Sequence, residues 1–131
     1  MAVAELASRV TSFFEEFVVA FATFDGAKIA ERYASPYLAF HAKGRSEVYS
    51  SSRDIAQYFQ RIVDGYYDKG VRSCSFENLH VTAVGSESVF ASVTWTLHGI
   101  GGAVLVAWRE SYNLWLHEGK YLVFASTDHV A

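Results

Sequence analysis

The chain has 131 residues, of which 51% are hydrophobic and 16% aromatic, so it can bury a core and is too apolar to be a disordered protein. Its net charge is −3, with 11 basic and 14 acidic side chains. No basic stripe accompanies the aromatic residues, which argues against nucleic acid as a partner. The length predicts a single domain over residues 1–131.

The N-terminal segment predicts an amphipathic helix with one aromatic face. Apolar residues recur there at spacings of three and four, and mostly polar residues lie between them. Glu5, Arg9, Glu15 and Glu16 interrupt the apolar stretch, which argues against a signal peptide or a membrane span. The single cysteine, Cys74, cannot form an intrachain disulfide and favours a cytoplasmic location. The face consists of Leu6, Val10, Phe13, Phe14, Phe17, Val18 and Phe21.

The middle of the chain predicts short elements separated by residues that end helices or favour turns. Asp25-Gly26 ends the first helix, and Asp25 can cap a short second helix over residues 27–33. Residues 36–42 alternate as a first strand, with residues 47–49 as its hairpin partner.

A third helix follows, with Ser51 or Ser52 as its cap and Gly70 as its left-handed stop. Its apolar face comprises Ile55, Tyr58, Phe59, Ile62, Val63 and Tyr66.

The second half of the chain predicts four long strands, over residues 72–84, 88–98, 102–117 and 120–130. Tight, glycine-containing turns separate them, so consecutive strands are expected to be antiparallel neighbours. Together with the helices, this order predicts an α+β fold in which the N-terminal helices pack on one face of a strongly curved antiparallel sheet.

This order of elements resembles the cone-shaped fold of the nuclear transport factor 2-like superfamily, and within it the polyketide-cyclase-like and ketosteroid-isomerase-like group. The resemblance covers nearly the whole chain. It is carried by Phe24-Asp25-Gly26, by the run from Tyr33 to His41, and by Gly119-Lys120-Tyr121-Leu122-Val123. It implies an internal pocket for a small apolar molecule, on a scaffold that supports many unrelated functions.

The isomerase pattern implies a base at the end of the first strand, which falls on His41 here. It also implies a tyrosine oxyanion donor on the first helix, and that position falls on Phe17, which has no donor. Steroid-isomerase chemistry is therefore not expected. His41 remains a candidate general base because its ordinary pKa lies near neutrality; the alternative is a strand histidine bonded to a neighbour.

Alternation through residues 106–112 puts Trp108, Glu110 and Tyr112 on one face of a strand. A carboxyl group between two aromatic residues on a pocket face would have a raised pKa and could shuttle protons. The alternative is a glutamate on the sheet surface, paired with a basic side chain on the next strand.

The remaining titratable residues give weaker patterns. Asp128 and His129 are adjacent and face opposite sides of a strand, so one of them could enter the mouth of the pocket. The histidines do not pair at zinc-site spacings, so neither a metal nor another cofactor is predicted. The histidines are His41, His80, His98, His117 and His129.

The candidate site therefore has two catalytic residues, His41 and Glu110, within a set of aromatic ligand-binding residues. Two functions remain open: an acid–base enzyme of cyclase, dehydratase or isomerase type on a hydrophobic substrate, or a non-catalytic module for ligand binding or association. The ligand-binding candidates are Phe17, Tyr37, Tyr58, Trp95, Trp108 and Tyr112.

Apolar residues occur on both faces of the last two strands, whereas a solvated outer face would be polar. Leu105, Ala107 and Trp115 alternate with Trp108 and Leu114. Since helices cover only one face of the sheet, we expect the other to bury its apolar area against a second copy, giving a homodimer.

Overall fold

A computed structural model describes residues 2–130. Three helices and six strands follow one another in the chain, with short 3₁₀ turns at Ala42–Gly44 and Ile100–Gly102. The elements are α1 (Val3–Phe21), α2 (Gly26–Ala30), β1 (Tyr33–Phe40), β2 (Ser46–Tyr49), α3 (Ser52–Asp68), β3 (Ser73–Val84), β4 (Ser88–His98), β5 (Val104–His117) and β6 (Lys120–Asp128).

The strands form one sheet in the order β2-β1-β6-β5-β4-β3. The four C-terminal strands are antiparallel neighbours, as predicted from their short turns. The α+β class is confirmed, but the sheet is mixed, because β1 runs parallel to β6. Most of the chain separates these two strands, so no hairpin fixes their relative direction.

The helices lie against one face of the sheet, where they bury a single core. On β4 the buried apolar residues alternate, from Val89 through Val93 to Leu97, as expected for a strand with one face in the core. From α1, Val10, Phe14 and the other residues of its aromatic face enter the same core. The helices therefore cover one face of the sheet, which is called the inner face below.

Local signals predicted most helix boundaries correctly. The Asp25 side chain accepts a hydrogen bond of 2.9 Å from the backbone N–H of Ala27 and caps α2. The Ser51 hydroxyl accepts one of 3.1 Å from Asp54 and caps α3. Gly70 follows α3 with a φ of 97°, a left-handed conformation that glycine adopts without a steric penalty.

Two predicted boundaries around β1 are wrong. The second helix ends at Ala30 and does not reach Tyr33, which already pairs with Val123 of β6. At its other end β1 stops at Phe40, and His41 precedes the 3₁₀ turn. Pairing with β6 supplies tertiary hydrogen bonds that outweigh the weak helical preference of this short segment.

Within residues 2–130, no helix is long and apolar enough to cross a bilayer.

Candidate active site

A cavity of about 540 Å³ lies between the inner face of the sheet and helices α1 and α3. All eight predicted catalytic and ligand-binding residues contribute to the wall of this cavity. Their catalytic and ligand-binding roles remain predictions. These residues are His41, Glu110, Phe17, Tyr37, Tyr58, Trp95, Trp108 and Tyr112.

Strand register brings the polar residues of the cavity together. Glu110 of β5 is the direct cross-strand partner of Asp128 on β6, so their side chains leave the sheet on the same face. Phe40 pairs with Thr127 on the other side of β6. The next residues along the two parallel strands, His41 and Asp128, consequently lie side by side.

Glu110 is a half-buried carboxyl group in an aromatic wall. Burial and the negative charge of Asp128 raise its pKa to about 8. Hydrogen bonds from Trp108 and Tyr112 lower the pKa, but only in part. The Trp108 indole N–H donates to Oε1 of Glu110 over 2.9 Å. Glu110 therefore holds its proton at neutral pH and can donate it.

His41 and Asp128 form a hydrogen-bonded pair beside Glu110. Nδ1 of His41 lies 3.3 Å from Oδ2 of Asp128, and the His41 side chain is only 16% exposed. An Asp partner at Nδ1 favours the tautomer that carries its proton there. Nε2 is then the ring nitrogen that can accept a proton.

Two further hydrogen bonds fix the aromatic wall around this group. The Trp95 indole N–H donates to the Tyr112 hydroxyl over 2.7 Å, which leaves the Tyr112 proton available to Glu110. The hydroxyls of Tyr37 and Ser126 are 2.5 Å apart. These two hydrogen bonds hold the Tyr37 and Tyr112 rings in place, and neither of them involves the proton of Glu110.

The opposite part of the cavity wall is apolar. Phe17 packs against Trp95, with ring centroids 5.2 Å apart, and offers no hydrogen-bond donor. Cys74 lies in the same wall, and burial raises the pKa of its thiol to about 12, so it is not a nucleophile at neutral pH. A ligand would therefore meet polar groups at one side and hydrocarbon at the other. The apolar part comprises Phe17, Phe21, Ile29, Ile62, Val63, Cys74 and Leu97.

Sequence reasoning missed three residues that contribute to this site. Asp128 and His129 both line the cavity, but the sequence does not decide between them; Nε2 of His129 lies 2.6 Å from the Ser111 hydroxyl. The sequence predicts Tyr33 at the end of a helix and Tyr66 on an apolar helix face, whereas both line the cavity. The alternation of Ser126 and Asp128 is the signal that could have identified the carboxylate.

The histidines do not converge on one point. His98 bonds to the Ser75 hydroxyl over 2.8 Å, and the His117 ring packs at a tilt against Trp115. In the part of the chain that the structure describes, no three His, Cys, Asp or Glu side chains are grouped so as to hold a metal ion.

Comparison with solved structures supports the fold. The chain is similar to Aln2 from a Streptomyces species, with 20% identity, a TM-score of 0.79, and coverage of 98% of this chain and 93% of that one. It is also similar to a Nostoc punctiforme domain of unknown function with a cystatin-like fold, with 17% identity, a TM-score of 0.74, and coverage of 100% and 81%.

A third similar structure is a putative calcium/calmodulin-dependent protein kinase II association domain from Xanthomonas campestris. Here the identity is 21%, the TM-score 0.67, and the coverage 92% of this chain and 85% of that one. No functionally curated protein shows significant similarity to the chain. At these identities the structural likeness establishes the fold alone.

Residues 5–131 match the model of a family described as NTF2-like protein (DUF6841). The chain belongs to this family, and the predicted membership of the nuclear transport factor 2-like superfamily is confirmed.

Proposed function

We propose that this NTF2-like protein binds an apolar small molecule in its cavity and catalyses proton transfer on it. The observation that carries the proposal is the position of Glu110, a carboxyl group with a pKa of about 8 in an aromatic wall. A titratable group with a strongly shifted pKa in a concave apolar site is a candidate acid–base catalyst.

Glu110 and the His41–Asp128 pair suit opposite roles in proton transfer. Glu110 carries the proton and acts as the acid, donating to an oxygen atom of the substrate. His41, oriented by Asp128 at 3.3 Å, acts as the base and accepts a proton from carbon. One proton leaves the substrate and one enters it, so an isomerisation, dehydration or cyclisation needs no cofactor from the protein.

A non-catalytic ligand-binding module is the second candidate, favoured by the apolar part of the wall around Phe21, Val63 and Leu97. Such a lining holds hydrocarbon without requiring any proton transfer. The two functions differ in whether bound ligand exchanges protons with the protein.

Hydrogen–deuterium exchange on a simple ketone separates these functions. 1-Tetralone, an apolar bicyclic ketone, exchanges the hydrogens beside its carbonyl group when a base and an acid act on it, and proton NMR in D₂O follows the loss of their signal. We expect the protein to accelerate this exchange, and Glu110→Gln and His41→Ala each to lower the acceleration at least about tenfold.

Glu15→Gln, on the exposed face of α1, is the matched control and should retain full activity. Thermal melts show whether His41→Ala remains folded. Tetralone binding without any acceleration by the wild-type protein would refute the catalytic proposal and favour the binding module.

A further inference from the structure

Three tyrosine side chains line the cavity without a protein partner for their hydroxyl groups. Tyr33 comes from β1, and Tyr58 and Tyr66 come from α3. Tyr37 and Tyr112 of the same wall bond to Ser126 and Trp95. Among the described residues, by contrast, no hydrogen bond reaches the hydroxyls of Tyr33, Tyr58 or Tyr66.

The rings of these tyrosines are held firmly although their hydroxyls are not. The Tyr33 ring centroid lies 4.7 Å from that of Tyr37 and 4.7 Å from that of Phe59. Tyr58 packs 4.5 Å from Tyr49, and Tyr66 packs 6.2 Å from Phe21. Aromatic packing therefore fixes where each hydroxyl points before a ligand arrives.

Hydroxyl groups in such a setting normally find a hydrogen-bond partner. Tyr33 is only 6% exposed as a whole, and its hydroxyl is not among the fully buried atoms that lack a partner, so a ligand in the cavity can still reach it. Burial raises the pKa of all three hydroxyls, that of Tyr66 to about 12. Each hydroxyl consequently keeps its proton at neutral pH and has it available to donate.

We infer that Tyr33, Tyr58 and Tyr66 form a donor surface that recognises a carbonyl oxygen on the apolar ligand. This rests on the proposed function in that the ligand occupies the same cavity. The donors come from two different elements, β1 and α3. The ligand class is an apolar ketone, because hydrocarbon and aromatic rings line the cavity away from its polar side, to which Arg45, Glu47 and Glu110 contribute.

A matched pair of tricyclic probes tests this directly. Fluoren-9-one and fluorene have the same ring skeleton, and only the first carries a carbonyl oxygen. Quenching of tryptophan fluorescence gives the dissociation constant of each, since Trp95 and Trp108 line the cavity. We expect the ketone to bind the wild-type protein at least about fivefold more tightly, the value of one net hydrogen bond.

Substitution of each tyrosine identifies the donors. Tyr33→Phe, Tyr58→Phe and Tyr66→Phe keep the ring contacts, so the variants should remain folded. We expect one or more of them to reduce ketone affinity about fivefold and to leave fluorene affinity unchanged. Tyr67→Phe, an exposed tyrosine of the same helix that stacks under Arg72, is the control and should change neither affinity.

Equal affinities of the two probes for the wild-type protein would overturn the inference, and that result does not depend on any variant. So would a ketone preference that survives all three substitutions. Fluoren-9-one has no hydrogen on the carbons beside its carbonyl and cannot enolise, so this test measures binding alone. A ketone preference without tetralone exchange would refute the catalytic proposal and leave the donor surface standing.

Discussion

Two opposing influences set the chemistry of Glu110. Burial and Asp128 disfavour its charge, whereas the N–H of Trp108 and the hydroxyl of Tyr112 stabilise the carboxylate. Burial is the largest influence, so the pKa rises. Because the donors remain in place, the carboxylate that forms after proton donation is still solvated by the protein.

Glu110 should make the stability of the protein depend on pH. Its pKa rises from 4.5 to about 8 on folding, so the folded state holds a proton that the unfolded state releases between these values. The contribution is fully favourable below pH 4.5 and is lost as the pH rises toward 8. Glutamine cannot ionise, so Glu110→Gln should gain about 10 °C or more in melting temperature over the wild type between pH 5 and pH 9.

Melting curves of the two proteins, recorded by circular dichroism across this range, give the difference. Other titrating groups are common to both proteins and largely cancel. Curves that run parallel from pH 5 to pH 9 would mean that Glu110 has an ordinary pKa.

Trp108→Phe isolates the contribution of the indole donor. Phenylalanine preserves an aromatic ring in the wall but removes the N–H that lies 2.9 Å from Oε1 of Glu110. A hydrogen bond to a charged group contributes about 1.5–3 kcal/mol, so the pKa of Glu110 should rise by about one unit or more. Carbon NMR of the labelled carboxyl group measures it, with Trp115→Phe on the outer face as control; an unchanged or lower pKa would contradict the assignment.

At the scale of residues, the sequence predicts well which side chains face the cavity. It predicts poorly which of these side chains contact one another. Alternation correctly joined Trp108, Glu110 and Tyr112 on one face. The pairing of Asp128 with Glu110 and His41 depends on the register of three strands. A shift in register between Asn113 and Leu114 changes that pairing, and no local sequence signal reports such a shift.

At the scale of elements, the cavity depends on how closely α2 approaches α3. A Cβ atom on Gly26 would lie 2.3 Å from the backbone oxygen of Ala56 and 2.6 Å from the backbone nitrogen of Gln60. The Gly26 N–H also donates to Oε1 of Gln60 over 2.7 Å. Glycine is therefore required here for close helix packing.

Gly26→Ala should destabilise the protein by about 3 kcal/mol, because the added methyl group meets backbone and not a movable side chain. Gly65→Ala is the matched comparison: Gly65 lies inside α3 with nothing within 4 Å of its Cβ position. There alanine should stabilise the helix by about 0.5–1 kcal/mol. Urea unfolding measures both, and equal stability of the two variants would disprove the packing role of Gly26.

Elements with strong local signals were predicted almost residue by residue, and those fixed by distant contacts were not. The sequence predicts a strand over residues 88–98, the observed bounds of β4, because turns with glycine or polar residues flank a strict alternation. The start of β1 at Tyr33 was missed, since pairing with Val123 of β6 decides it. The parallel direction of the β1–β6 pairing was missed for the same reason, because contacts between distant parts of the chain decide it.

At the scale of the whole molecule, the outer face of the sheet carries exposed aromatic residues. Phe90 is 40% exposed, and Trp115 and Phe124 are each 38% exposed. All three alternate with buried neighbours, so they lie on the face that the helices leave uncovered. A second copy of the chain is the partner we propose for this face.

The protein should accordingly be a homodimer at micromolar concentration, with about 800 Å² buried on each subunit. Trp115→Glu places a charge in the proposed interface and should yield monomers, whereas Glu77→Gln on the edge strand β3 should not. Sedimentation velocity distinguishes the two masses. A monomeric wild-type protein would refute this arrangement and leave the exposed aromatic residues unexplained.

The proposed chemistry requires that Glu110 carry a proton inside the cavity at neutral pH. Carbon NMR of glutamate carboxyl groups through a pH titration measures this most directly, with Glu110→Gln assigning the signal by its absence. We expect a midpoint of about 8 for Glu110. A midpoint below about 5, in the ordinary range of a solvated glutamate, would contradict it and remove the acid from the proposed chemistry.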